Sequence, residues 1–84
     1  MRRVMRDSLV VTFFTTEAAM AAEALCGERG LPGRLVPVPG SVRAGCGLAW
    51  KAALGDREVL EAAFAESAVP VEGLFTVGLL EIER

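Results

Sequence analysis

Hydrophobic and polar positions divide the first half of the chain into an apolar segment and an alanine-rich segment. Residues 8–14 read Ser-Leu-Val-Val-Thr-Phe-Phe, and such β-branched and aromatic runs with little alternation are typical of a central strand buried on both faces. Residues 17–29 are rich in Ala, Leu, Met and Glu and predict a helix capped by Thr15 or Thr16. Gly30 follows at the position where helices commonly end.

The second half of the chain predicts three strands and one further helix. Residues 34–38 form a short strand, and Pro37 places it at a sheet edge because proline has no N–H to donate. The other predicted elements are a strand over residues 47–53, a helix that Asp56 caps and Pro70 ends, and a strand over residues 71–82. The order of elements is therefore β-α-β-β-α-β.

This order predicts an α+β, ferredoxin-like sandwich with a four-stranded antiparallel sheet and two helices on one face. Strands one and three are expected at the centre, and strands two and four at the edges. The other face is left open although the first strand is apolar on both sides, so we expect a second copy of the chain to cover it in a homodimer. In the alternative, the N-terminal tail or the C-terminal strand folds back over this face.

Length and hydrophobic content indicate one domain. The chain has 84 residues, of which 52% are hydrophobic, which suffices for one core. Residues 1–7 contain Arg2, Arg3 and Arg6 and are expected to form a flexible basic tail before a single domain over residues 8–84. No apolar run approaches the ~20 residues that span a bilayer, and Arg6-Asp7 interrupts any secretory signal. We therefore expect a cytoplasmic protein with no membrane partner.

Charge and residue types exclude several classes of function. Lys and Arg total 9 against 11 Asp and Glu, and a net charge of -2 offers no basic surface to nucleic acid. The absence of histidine removes the usual general base and the commonest metal ligand, so neither a catalytic triad nor a metal site is expected. No cofactor motif is present, and no cofactor is expected. The glutamates at positions 58, 61, 66 and 72 are expected to form a solvated face.

Cys46 is the strongest candidate for chemistry. It lies in the loop between strands two and three, where Gly45 and Gly47 allow a partner to approach closely. The predicted topology puts this loop at the same end of the sheet as Thr15 and Thr16. Because a helix N-terminus stabilises a thiolate or binds an anion, this neighbourhood predicts a reactive sulfur.

Other residues of the loop and of strand two are expected to support this site. Arg34 and Arg43 add positive charge, and Ser41 offers a hydroxyl to an oxyanion or a persulfide. In the alternative interpretation, Cys46 is a small buried hydrophobe that opens strand three. Both cysteines are expected to be free thiols, because stable disulfides belong to oxidising compartments, and Cys26 is expected to be core or half-buried filler.

Three segments of the chain carry a family resemblance. They read Val-Val-Thr-Phe-Phe, Gly-Leu-Pro-Gly-Arg-Leu-Val-Pro-Val-Pro and Ser-Val-Arg-Ala-Gly-Cys-Gly-Leu-Ala. Over residues 9–77 the chain resembles the bacterial "putative selenium/sulfur (Se/S) carrier protein-like" family. The resemblance implies that Cys46 carries sulfur or selenium, as a persulfide or selenenylsulfide. Members often have a His and a second Cys where this chain has Glu17 and Gly33, so no resolving thiol is expected beside Cys46.

Three hypotheses for the function follow. In the first, the protein is a small carrier that passes sulfur or selenium from a donor protein to an acceptor protein, and is not a stand-alone enzyme. In the second, it is a non-catalytic, ferredoxin-like regulatory or protein-binding module with an anion site at the same pole. In the third and weakest, paired cysteines of two subunits hold a metal ion, although one thiol per subunit supplies too few ligands for such a site.

Overall fold

The structure is a computed structural model that describes residues 1–83. Its elements are β1 (Arg2–Phe13), α1 (Thr16–Arg29), β2 (Arg34–Pro37), β3 (Leu48–Ala53), a 3-10 turn (Leu54–Asp56), α2 (Arg57–Glu66) and β4 (Val71–Glu83). The four strands form one antiparallel sheet in the order β2-β3-β1-β4. The predicted ferredoxin-like α+β arrangement, with β1 and β3 at the centre, is therefore confirmed.

The second half of β1 is the centre of the core, as its apolar sequence predicts. Every residue from Ser8 to Phe13 is buried. Alternate side chains point to opposite faces of a sheet, so Leu9, Val11 and Phe13 pack on the side of the helices. There the Phe13 ring meets Phe64 of α2 edge to face, with centroids 6.0 Å apart, an arrangement that aromatic pairs prefer.

The start and the end of α1 follow from local capping. The Thr15 hydroxyl accepts a hydrogen bond from the backbone N–H of Ala18 at 3.1 Å, which satisfies one of the free donors of the first turn. Gly30 ends the helix in the left-handed conformation, with φ of 65°, which glycine adopts without steric cost. The buried face consists of Ala18, Ala19, Ala22 and Cys26, whose small side chains let the helix lie close to the sheet.

The sheet face opposite the helices is covered in part by the chain itself. Val10, Ala49 and Val77 are buried on this face, and Val38 and Val42 of the β2–β3 loop pack against them. The loop turns back over the sheet, with the Val42 N–H bonded to the Pro39 carbonyl at 3.0 Å. Within the described residues, the β2–β3 loop supplies this partial cover instead of a chain end. The homodimer stays a prediction.

A two-stranded arm extends the sheet at one end. β4 pairs with β1 from Arg2 to Phe13, whereas β3 pairs with β1 at residues 8–12. Residues 2–7, expected as a flexible tail, are therefore paired strand residues, because β4 is long enough to provide partners for all of them. The arm leaves Met5, Leu80 and Ile82 exposed on one face. Among the described residues, no helix has the length and the apolar character needed to cross a membrane.

Candidate functional site

The sulfur of Cys46 lies between β3 and the first turn of α1. The backbone N–H of Leu48 donates a hydrogen bond to Cys46 Sγ at 3.3 Å. The Thr16 hydroxyl oxygen lies 3.6 Å from the same sulfur, at hydrogen-bond distance for sulfur. The structure thus brings Cys46 to the start of α1, as the topology predicts. The cysteine is 6% exposed, so the loop closes over the sulfur in this conformation.

Thr15 and Thr16 serve this pole in different ways. The Thr15 hydroxyl accepts from the Ala18 N–H and is therefore engaged in capping the helix. Thr16 is the first residue of α1, and its hydroxyl is the one that meets the sulfur. The sulfur is consequently held next to the positive end of the helix dipole, between a backbone N–H and a hydroxyl that can both donate to an anionic sulfur.

Glu72 fixes the loop directly before Cys46. Its two carboxylate oxygens accept the Gly45 N–H at 3.0 and 3.3 Å. Glu72 reaches the loop because β4 has a bulge here: Thr12 pairs with Gly73 but Phe13 pairs with Val71, so Glu72 is the additional residue. Bulges redirect side chains in this way. We call the Glu72–Gly45 contact the clasp.

The clasp corrects the prediction that Glu72 belongs to a solvated face. The other three glutamates differ from it, since Glu66 pairs with Arg29 and Glu61 with Arg57 on the surface, and Glu58 is exposed. Gly73, which directly follows Glu72, is the sequence signal for a bulge, since glycine inside a strand often marks one. Sequence reasoning thus missed two groups of this site, the Glu72 carboxylate and the Leu48 N–H.

The two glycines that flank Cys46 play different structural roles. A Cβ on Gly45 would lie 3.0 Å from the carbonyl oxygen of Phe14, so a larger residue would require the loop or that backbone to shift by a few tenths of an ångström. A Cβ on Gly47 would meet nothing within 4 Å. The role of Gly47 lies in its backbone, whose carbonyl accepts the Val38 N–H at 3.0 Å and closes the base of the loop.

Among the described residues, the hydrogen-bond contacts of Cys46 Sγ come from Leu48 and Thr16, and none comes from the remaining predicted site residues. Ser41 and Arg43 lie in the loop with exposed side chains. Arg34 begins β2 opposite Lys51, while Pro37 at the other end of β2 pairs with Leu48 beside the site. Three residues of strand span about 10 Å, so Arg34 lies away from Cys46, and its expected role at this pole is corrected.

Cys26 belongs to the core and is separate from Cys46. It is 1% exposed, and burial raises the pKa of its thiol. Both cysteines are free. Ten residues of helix separate Cys26 from Thr16, which at 1.5 Å per residue is about 15 Å, well beyond disulfide reach. Among the described residues, no three His, Cys, Asp or Glu side chains are grouped closely enough to hold a metal ion.

Comparison with known proteins relates the chain to a family. A search of curated proteins and a search of solved structures gave no match. The family model described as "Putative Se/S carrier protein-like" matches residues 8–76. The matched segment is most of the chain, and it contains Cys46, Thr16 and the clasp. The chain belongs to the putative Se/S carrier protein-like family.

Proposed function

We propose that the protein carries sulfur or selenium on Cys46, as a persulfide or a selenenylsulfide, and transfers it from a donor protein to an acceptor protein. The observation that carries the proposal is the position of Cys46 Sγ, with the Leu48 N–H at 3.3 Å and the Thr16 hydroxyl at 3.6 Å. Membership of a family described as Se/S carrier-like supports it. In this role the protein acts in the cytoplasm, with neither a cofactor nor a metal.

In the loading step, the Cys46 thiolate attacks the terminal sulfur of a donor persulfide. A bond from Cys46 Sγ to that sulfur forms while the sulfur–sulfur bond of the donor breaks. The inner sulfur of the donor leaves as a thiolate and takes up the proton that Cys46 released. The step needs no oxidant or reductant, because one sulfur–sulfur bond replaces another. A donor that carries selenium on its thiol reacts in the same way.

In the delivery step, a thiolate of the acceptor attacks the sulfur or selenium atom bound to Cys46 Sγ. The bond from that atom to Sγ breaks, and Cys46 leaves as a thiolate. The Leu48 N–H then stabilises the anionic sulfur, since hydrogen bonds to charged acceptors are stronger than those to neutral ones. The Thr16 hydroxyl adds a second donor on the side of α1. These donors lower the barrier for departure of the cargo without holding the cargo itself.

Both steps require the loop to move, because Cys46 is 6% exposed. The clasp and the Val38–Gly47 hydrogen bond hold the loop in its closed position. In our proposal, docking of a donor or an acceptor opens the clasp and uncovers the sulfur. A closed carrier protects its cargo from small thiols, which would otherwise remove it.

The proposal also includes a homodimer that forms through the arm. Met5, Leu80 and Ile82 are 69%, 56% and 56% exposed and share one face of the arm. Within the described residues, the pairing of β3 with β1 covers Ser8–Thr12, so the arm is a two-stranded ribbon and its β1 strand forms a sheet edge. Antiparallel pairing of two such edges is a symmetric contact of the kind that closes a dimer. Sedimentation should give a dimer that Met5→Lys converts to a monomer; a monomeric wild type contradicts this part.

Loading is tested with a cysteine desulfurase, cysteine and pyridoxal phosphate, followed by intact mass measurement. The expected product has one additional sulfur atom, which Cys46→Ser abolishes and Cys26→Ala leaves in place. A chain that never gains the atom contradicts the carrier function. Parallel incubation with a selenium donor shows whether selenium is accepted at the same residue.

A second candidate function is a regulatory or protein-binding module without sulfur chemistry. The observation that favours it is the burial of Cys46, which is also typical of a structural cysteine. Under this alternative, Cys46→Ser preserves partner binding and biological activity. Under the carrier function, the same variant keeps its fold and loses transfer.

A further inference from the structure

A cavity lies on the sheet face opposite the helices, away from the Cys46 site. Its volume is about 370 Å³, within the range of small-molecule sites. Four strands contribute a charged side chain to its wall: Arg6 of β1, Arg34 of β2, Lys51 of β3 and Glu81 of β4. The strand registers place these four on one face, because directly paired residues and every second residue share a face.

The wall of this cavity carries more positive than negative charge. Three of the five charged residues that line it are cations, although the chain as a whole has a net charge of -2. Asp7 also borders the cavity, but it pairs with Gly78 on the opposite face of the arm. Glu81 is therefore the one carboxylate, among the described side chains, that the strand alternation directs to this face of the cavity.

Glu81 holds two of the cations in place. Its Oε1 lies 2.8 Å from Lys51 Nζ, and its Oε2 lies 3.0 Å from Arg6 Nε. The hydrogen bond from Lys51, together with the charges of Lys51 and Arg6, lowers the pKa of Glu81. Glu81 is thus ionised at neutral pH and orders both cations.

Glu81, which pairs with Arg6 and Lys51, does not compensate the positive charge of Arg34. Within the part of the chain that the structure describes, no carboxylate forms an ion pair with Arg34. Its side chain is exposed at the cavity mouth. A guanidinium presents a planar fork of donors that fits phosphate or carboxylate, and a lysine ammonium adds a compact charge.

We propose that this cavity binds a small molecule through a dianionic phosphate group, with Arg34 and Lys51 as the main contacts. An anionic group complements the wall, where three cations face two carboxylates. The Arg34 guanidinium donates two parallel hydrogen bonds to the phosphate. Lys51 contacts the phosphate from β3, where it is the direct strand partner of Arg34. The site is independent of the chemistry at Cys46, which lies beyond the other end of β2.

The test is a titration of the ¹⁵N-labelled protein with phenyl phosphate, followed by amide chemical shifts. The expected shifts concentrate at residues 6–8, 33–34, 51–53 and 81. Arg34→Ala is expected to weaken binding at least tenfold, and Arg34→Gln provides a second variant in case the first is poorly folded. Arg29→Ala and Arg57→Ala remove the same charge from surface ion pairs with Glu66 and Glu61, and should change affinity less than twofold.

Three results would overturn the proposal. The first is binding that Arg34→Ala and Arg34→Gln reduce no more than the two control variants do. The second is chemical shifts scattered over the surface, which would indicate unspecific attraction to cations. The third is equal affinity for malonate, a dianion without phosphorus, which would show that the cavity does not select phosphate. Loss of binding in Lys51→Ala, with Cys46 loading unchanged, would support the site and its independence.

Discussion

The clasp between Glu72 and Gly45 makes a quantitative prediction about access to Cys46. In Glu72→Ala both hydrogen bonds to the Gly45 N–H are lost. Hydrogen bonds to charged groups contribute about 1.5–3 kcal/mol when well shielded, and these two are exposed to water, so we assign about 1 kcal/mol to the pair. If the closed loop loses that much stability, the open population rises about fivefold, since ~1.4 kcal/mol corresponds to a factor of ten.

The assay is the rate of alkylation of Cys46 by N-ethylmaleimide, an uncharged reagent, in a Cys26→Ala background. Reaction requires the open loop, so we expect a rate about fivefold above that of the parent, by the same conversion of free energy to population. Glu72→Gln keeps one neutral acceptor and should lie between the two. Glu58→Ala removes an equal charge from an exposed position on α2 and is the matched control, with an expected change below twofold.

The same experiment separates loop opening from a direct effect of charge on the sulfur. Loop opening multiplies the rate by the same factor at every pH, so the midpoint of the pH–rate profile stays in place. Removal of a nearby negative charge would instead move that midpoint. An unchanged rate in Glu72→Ala, or a shifted midpoint with no change in the plateau, would refute the clasp as the element that limits access.

Three further predictions concern the site and the cavity. Thr16→Val removes the hydroxyl beside Cys46 Sγ and should slow delivery of cargo with little change in melting temperature, whereas Thr15→Val removes the cap of α1 and should cost about 1 kcal/mol in thermal unfolding; the reverse pattern would contradict the division of roles. Gly45→Ala forces a Cβ to 3.0 Å from a carbonyl oxygen and should lower the melting temperature, while Gly47→Ala meets open space and should be neutral; equal effects would be inconsistent with the loop path. Because ion pairs lower the pKa of Glu81 in the folded state, its contribution is present above the unfolded pKa of about 4.3 and is lost as pH falls through the folded value. Acid titration of unfolding should therefore show a shallower loss of stability below that pH in Glu81→Gln, and identical slopes would argue against the linkage.

Much of the fold and one contact of the site could be predicted from the sequence. Residues 8–13 place apolar side chains on both faces of a strand, and this pattern is typical of a strand at the centre of a sheet. Once the order of elements is known, handedness and adjacency place the β2–β3 loop beside the start of α1. The position of Cys46 near the start of α1, where the Thr16 hydroxyl contacts its sulfur, follows from topology.

Other features depend on pairing that the sequence does not display. The strand character of residues 2–7 comes from β4, whose partners are some seventy-five residues away in the chain; charged residues such as Arg2 and Arg3 give no periodic signal for it. The clasp arises from a bulge, and a bulge is defined by the register of two strands rather than by either one. Val38 and Val42 cover the open face from a loop, where apolar positions have no regular spacing.

The most direct test of the carrier function is to load the protein with sulfur and then discharge it. Trypsin cleavage after Arg43 and Lys51 releases residues 44–51, in which Cys46 is the only cysteine. After incubation with a desulfurase and cysteine, this peptide should gain one sulfur atom, and an acceptor thiol should remove it and restore the original mass. A peptide that stays unmodified, or sulfur that is found on Cys26 instead, would contradict the account.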